Sequence, residues 1–303
     1  MKATAIAPAN IAFIKYWGKA DDARRLPLNP SISMNLSACI TTTTVEFSPD
    51  FEKDTVSEGF DEKRILTHID RIRRIAKINM CSKITTKNSF PASAGIASSA
   101  SGFAALTVAA AAALGLKLGE LELSVLARLG SGSACRSIPD GFVKWEDSYA
   151  YSLYPPSYWD LRDILLIIEN NVKDVSSSAG HEGAYTSPFF TKRLQEVPKR
   201  ISRLEAALAK KDFQKLGEVI EEDCLDVHHV MQTQSPPLFY WNEKTRQVIR
   251  AIKKSGLPVY FTIDAGPNVH LICEAKDEKQ VIDIFGNTYQ IIVNKPSRGA
   301  RLC

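Results

Sequence analysis

Residues 102–116 read GFAALTVAAAAALGL, about 15 positions without a single charge and dominated by alanine. A membrane span needs ~20 consecutive apolar residues, so the stretch is expected to be a helix sunk in a core, in a cytoplasmic protein. A chain of 303 residues, 45% hydrophobic and 24% charged, can supply such a core within one large domain or two lobes. The opening residues, MKATAIAPANIAFIKYWGK, lack a basic segment followed by a long apolar one, and no signal peptide is expected.

Charge narrows the classes of partner. Thirty-eight Lys and Arg stand against 34 Asp and Glu, a formal net charge of +4 with both signs interspersed. No nucleic-acid footprint follows from that balance, and a small anionic substrate suits it better than a polyanion. Six cysteines lie scattered without a C-x-x-C pair, as expected of reduced, mostly buried thiols. His228 and His229 fall on a predicted helix, and no H-E-x-x-H spacing exists, so a zinc site is not expected.

The pattern along the chain predicts strands at 3–7, 31–36 and 41–47, with a polar turn at 21–25 before the second. A basic helix is expected at about 61–77 and a strand near 81–87. Further on come a strand at 164–168, helices at 197–210, 212–231 and 243–255, and strands at 259–263 and 269–273. The coil between Tyr149 and Trp159, rich in aromatics and proline, marks the expected lobe boundary and divides the chain into 1–155 and 156–303. Strands and helices in blocks, without regular βαβ alternation, point to an α+β fold.

Four segments carry possible chemistry. The loop PASAGIASSAS (91–101) opens into the alanine-rich helix. Small residues and a helix N-terminus suit a phosphate, with Ser98, Ser99 and Ser101 as added hydroxyls; an ordinary capped core helix is the plain alternative. The string SGSACRS (131–137) sets two hydroxyls, Ser131 and Ser133, beside Arg136, which can hold a carboxylate or phosphate bidentately; a solvated turn would look the same. In NIAFIKYWGK (10–19), Lys15 and Lys19 would share one face of a strand. An inward lysine there needs an anion, whereas an outward one would be edge protection. Asp264, at the end of a short apolar strand, either starts an Asx-turn or stands as a carboxylate able to orient and deprotonate a hydroxyl.

Together these strings closely resemble the mevalonate diphosphate decarboxylases of the GHMP kinase superfamily. The resemblance rests on NIAFIKYWGK, PASAGIASSASGFAA (91–105), GSGSACRS (130–137) and DAGPN (264–268), in that order, with shorter matches between them. It implies the GHMP fold, two lobes with the active site in the cleft, a homodimer, and ATP with Mg²⁺ as cofactors. The implied reaction phosphorylates the 3-hydroxyl of a phosphorylated mevalonate and then loses phosphate and CO₂. Carried onto this chain, the resemblance makes Asp264, Lys15 and Arg136 catalytic. It assigns Tyr16, Lys19, Ser131, Ser133, Ser176 and Ser177 to the substrate, with His181, in the stretch expected to close over the terminal phosphate, as a further donor to it. Ser93, Gly95, Ser98, Ser99 and Ser101 fall to ATP, with Ser98 and Ser99 also reaching the metal.

One stretch departs from the family. At 177–181 members usually carry methionine where His181 stands and sometimes arginine where Ser178 stands, which leaves mevalonate 5-phosphate as an alternative substrate. A kinase that stops at phosphorylation, and a non-catalytic binding protein of the same fold, are the remaining readings.

Overall fold

The computed structural model describes residues 1–91, 97–169 and 180–303. In chain order its first elements are β1 (Lys2–Ile14), β2 (Lys19–Asp21), β3 (Leu26–Pro27), β4 (Ser31–Ser48), β5 (Thr55–Val56), α1 (Glu62–Ala76), β6 (Cys81–Asn88), α2 (Ser98–Ala113) and α3 (Glu120–Gly130). A 3-10 turn (Gly132–Ser137), β7 (Phe142–Glu146), β8 (Tyr149–Tyr154) and β9 (Leu161–Ile167) follow. After a second 3-10 turn (His181–Thr186) come α4 (Phe190–Lys210), α5 (Phe213–Thr233) and α6 (Glu243–Ser255). The chain finishes with β10 (Tyr260–Thr262), β11 (Val269–Glu274), α7 (Glu278–Phe285), β12 (Gln290–Asn294) and β13 (Arg301–Leu302).

Two sheets organise these elements. Seven strands form the first, in the order β13-β1-β4-β6-β5, with β7 on β4 and β8 on β7. The second runs β10-β11-β9-β12. Side chains of β9 alternate between two cores, as a strand period of two requires. Leu161, Leu165 and Ile167 meet α4 and α5, while Ile164, Leu166 and Ile168 meet α6 and α7.

The alanine-rich segment is the buried helix the sequence implies. Twelve of the α2 side chains, from Ala100 to Ala113, are buried against β1, β4 and the neighbouring helices. Small side chains let the helix axis lie close to the sheet. Its few large ones, such as Phe103 and Leu106, each contribute roughly 1.5–3 kcal/mol of burial. Isoleucines 65, 69 and 72 of α1 cover its outer flank.

Several expectations need correction. The strands expected at 31–36 and 41–47 are one strand, β4, with an irregularity where they were to part: Pro8 pairs with Ile40 but Asn10 with Asn35. A bulge absorbs the intervening residues without ending the pairing. The expected coil from Tyr149 begins as β8, because its tyrosines pair with β7 and aromatic side chains suit a pleated surface. Helix α4 starts at Phe190, not 197, and runs through Pro198. Arg193 before the proline and Arg200, Ile201 and Leu204 after it are buried on one stripe, and that packing outweighs the missing backbone donor.

Candidate active site

Strand β1 is apolar and buried to its end, and its exit delivers Lys15 into a cleft between the two sheets. Lys15 is only 5% exposed, so its ammonium has to be matched. Its Nζ donates to the Asp264 carboxylate at 2.6 Å and to the Ala12 carbonyl at 2.8 Å. The lysine is held from behind as well. Its backbone N–H donates to Asp223 Oδ2 at 2.7 Å, and its carbonyl accepts from Arg193 and Asn29, each at 3.0 Å.

Asp264 arrives from the opposite sheet, two residues past β10, in a turn closed by the Gly266 N–H donating to the Asp264 carbonyl at 2.9 Å. Its side chain is 23% exposed, facing the cleft. Burial pushes its carboxyl up, but the Lys15 ammonium, with smaller help from His270 and Arg136, more than reverses this and holds it below the ordinary carboxylate value. The group is an ionised acceptor at neutral pH.

Arg136 sits in the 3-10 turn Gly132–Ser137, 4% exposed. Its Nε donates to Asn10 Oδ1 at 3.2 Å and Ser33 Oγ at 3.1 Å, and one terminal nitrogen donates to Ser31 Oγ at 2.6 Å. These partners are neutral, so the guanidinium is fixed in direction without a contact ion pair, and it lies 5.8 Å from the centre of the Trp145 ring. Its remaining terminal nitrogen has no protein partner among the described residues.

Tyr16, Ser131, Ser133 and Lys19 line the same cleft. Lys15 and Lys19 do not converge by strand period, since β1 ends at Ile14; the chain turns at Gly18, whose φ of +87° suits glycine. Burial pushes the Tyr16 hydroxyl up from its ordinary value. Its ring lies edge-on to Trp145, with centroids 4.6 Å apart. His181 stacks between Tyr16 and Trp17 at 4.4 and 4.3 Å. Its Nδ1 accepts the Gly18 N–H at 2.9 Å, which assigns the ring proton to Nε2 and makes His181 a neutral donor at the cleft.

Helix α2 points its N-terminus into this space. Its cap, Ala97, has φ +49° and supplies no side-chain acceptor, whereas α1, α5 and α6 are capped by Asp61, Asp212 and Asn242. An anion would complete the end. Ser98 and Ser99 line both the main cleft and a neighbouring pocket bounded by Phe60, Arg64, Asn88 and Phe103. They stand where the two spaces meet. Ser99 Oγ lies 3.2 Å from Ser131 Oγ.

Ser101 does not join them. It is fully buried, and its hydroxyl bonds to Thr41 Oγ1 at 2.6 Å and the Ser98 carbonyl at 3.3 Å. The strand takes up its hydroxyl, so Ser101 knits α2 to β4. Cys135 is buried too, and burial pushes its thiol up to about 12, so it packs and does not attack. Ser93, Gly95, Ser176 and Ser177 lie outside the described residues. No group of three or more His, Cys, Asp or Glu able to hold a metal occurs among the described residues. The hydroxyls of Ser98 and Ser99 suit an ion held mainly by phosphate oxygens, as Mg²⁺ often is.

Three features of the site were missed at the level of sequence: Arg25, the Arg193–Asp223 pair, and the hydroxyl rack of Ser31 and Ser33. The first lies in a polar turn and the second on amphipathic helices, where charges resemble a solvated face. Alternation could have flagged the third, since Ser31 and Ser33 face inward together on a buried strand.

Known proteins resemble this chain along nearly its whole length. Residues 7–152 match the model of the diphosphomevalonate decarboxylase-like N-terminal domain, and residues 164–300 that of the mevalonate 5-diphosphate decarboxylase C-terminal domain. Diphosphomevalonate decarboxylases of Ganoderma lucidum and Candida albicans are each 36% identical, over 94% and 93% of this chain and 81% and 87% of their own. A crystal structure of mevalonate diphosphate decarboxylase from Staphylococcus aureus superposes with a TM-score of 0.93 at 36% identity, covering 100% of this chain and 98% of that one. A solved complex of MDDEF with MVAPP, AMPPCP and magnesium gives 0.93 at 37% identity, covering 100% and 99%. This chain therefore belongs to the diphosphomevalonate decarboxylase family and has the GHMP kinase fold.

Proposed function

We infer that the chain catalyses the ATP-dependent decarboxylation of mevalonate 5-diphosphate to isopentenyl diphosphate, with release of ADP, phosphate and CO₂. The observation that carries this reading is the Lys15–Asp264 pair at 2.6 Å, in one cleft with Arg136 and the N-terminus of α2. Family membership supports the choice of the diphosphate.

The geometry supports the following roles. Asp264, kept ionised by Lys15, orients the 3-hydroxyl and accepts its proton as the oxygen attacks the γ-phosphorus. Lys15 fixes that carboxylate and lends positive charge to the transferring group. The α2 N-terminus with Ser98 and Ser99 receives the phosphates of ATP, whose nucleoside fits the neighbouring pocket. Mg²⁺, when bound with ATP, neutralises phosphate charge. Arg136 holds the substrate carboxylate, and Tyr16, Lys19, Ser131, Ser133 and His181 hold the phosphate end. When the C3–O bond breaks, the electrons of the departing carboxylate bond form the new double bond, and the nearby Asp264 carboxylate favours the positive charge developing at C3.

The same reading carries a cytoplasmic homodimer with an ATP-binding lobe at 1–155 and a C-terminal lobe at 156–303. The described cysteines are all free thiols, and among the described residues no helix is long and apolar enough to cross a membrane.

The test is a paired assay of ADP and CO₂ with mevalonate 5-diphosphate and ATP. Release of both in equal amounts is expected. ADP without CO₂ would make the protein a kinase, and neither product would make it a binding protein.

A further inference from the structure

Four cationic side chains line the cleft: Lys15, Lys19, Arg25 and Arg136. Two of them already have counter-charges, Lys15 in Asp264 and Lys19 in Asp22. Arg25 and Arg136 form no ion pair among the described residues; their protein partners are carbonyl, hydroxyl and amide oxygens. The cleft therefore holds two guanidinium groups without a contacting counter-charge. A ligand that satisfies both is anionic at both ends.

The two groups act on different residues of the cleft. Arg136 acts on Asp264 together with Lys15 and His270. Arg25 acts on His181, and Tyr16 between them feels both arginines. Its position is built. The Arg25 N–H donates to the Asp22 carbonyl at 3.2 Å, and the residue takes the left-handed conformation with φ +52°. Its Nε donates at 3.1 Å to the Leu129 carbonyl in the last turn of α3, where the helix dipole is negative. Both terminal nitrogens remain without a protein partner among the described residues. That leaves a planar pair of donors, the geometry that grips phosphate oxygens bidentately.

We propose that Arg25 binds the terminal phosphate of mevalonate 5-diphosphate and sets the preference for the diphosphate over the monophosphate. The proposal rests on the reaction inferred above, in which Arg136 takes the carboxylate at the other end of the same molecule. A monophosphate would leave Arg25 facing water, so the arginine discriminates by an interaction that only the longer substrate can complete.

Steady-state kinetics of the wild-type chain and of Arg25→Gln and Arg25→Lys with each substrate test this. For Arg25→Gln the KM for mevalonate 5-diphosphate is expected to rise ~10- to 100-fold, the loss of a charge-assisted contact, with kcat and the KM for ATP within a few-fold. Its KM for mevalonate 5-phosphate stays unchanged, so the ratio of the two kcat/KM values collapses. Arg25→Lys recovers part of the preference because it restores charge without the fork. An unchanged KM for the diphosphate, or equal losses on both substrates, overturns the proposal while the inferred reaction stands. A wild-type chain that turns over neither substrate overturns the reaction, and the role of Arg25 with it.

Discussion

The backbone N–H of Lys15 donates to the carboxylate of Asp223, 208 positions later in the chain, at 2.7 Å. Asp223 is fully buried, and so is the Arg193 that pairs with it at 2.9 Å and also grips the Lys15 carbonyl. Lys15 is thus held at both ends of its own backbone by opposite charges, and the direction of its side chain toward Asp264 is fixed before any ligand arrives. Asp223→Asn leaves Arg193 with Asp226, at 2.6 Å, as its remaining counter-charge and is expected to cost about 1–3 kcal/mol of stability, the loss of charged hydrogen bonds. Denaturant unfolding measures that loss, and kcat measured below the melting range should fall more than the KM for ATP changes.

Asp264→Asn keeps the size and most contacts of the side chain but removes the base. Turnover is expected to fall by about 10²–10⁴-fold while ATP and substrate affinities stay within a few-fold, a split that pre-steady-state binding and kcat resolve. Because Lys15 holds this carboxyl below its ordinary value, the acid limb of kcat/KM from Asp264 lies below the usual carboxylate range.

His68, His181 and His228 are all buried, and burial first of all holds their imidazoles down at about 3, from an ordinary 6.5. The unfolded chain takes up protons between those values and the folded chain does not. Stability is therefore complete above about 6.5 and falls as pH drops toward 3. The full slope for three groups is about 4 kcal/mol per pH unit. Urea midpoints taken from about pH 7.5 down to about pH 5 should decrease, and His68→Gln, whose Thr107 contact survives as an amide hydrogen bond, should flatten the curve.

Gly217 on α5 lies under the ring of Tyr260 on β10, where an added Cβ would come within 1.9 Å of a ring carbon. Gly217→Ala is expected to destabilise the protein by about 1–3 kcal/mol through overpacking. Since β10 leads directly into Asp264, kcat should fall with it. Calorimetry and turnover on the same sample check both effects.

Ser101→Ala removes a hydroxyl bonded within the core. A stability loss of about 1 kcal/mol and an unchanged KM for ATP are expected; a raised KM would return Ser101 to the phosphate site.

Much of this site was legible because its groups sit in short strings of unusual composition. A lysine inside the apolar run 10–19 had to find an anion, and it found Asp264. What stayed hidden depended on distance along the chain. Asp223 and Arg193 lie on amphipathic helices, and only the packing of α4 on α5 against the end of β1 shows that these charges face inward. Ser101 shared a string with Ser98 and Ser99, and a helix buried almost all round offers no apolar phase to tell it from them; its bond to Thr41 does. Arg25 looked like part of a polar turn because nothing in its neighbours announces the α3 carbonyl that anchors it.

The Lys15–Asp264 contact joins residues 249 positions apart, one from each sheet. Were the two sheets to part, the chain would be inert, since the reacting carboxylate and its ammonium would no longer meet. Enzyme turnover is thus a reporter of inter-sheet docking: under mild heating it should vanish before the helical signal does, as soon as the small sheet loosens from the large one.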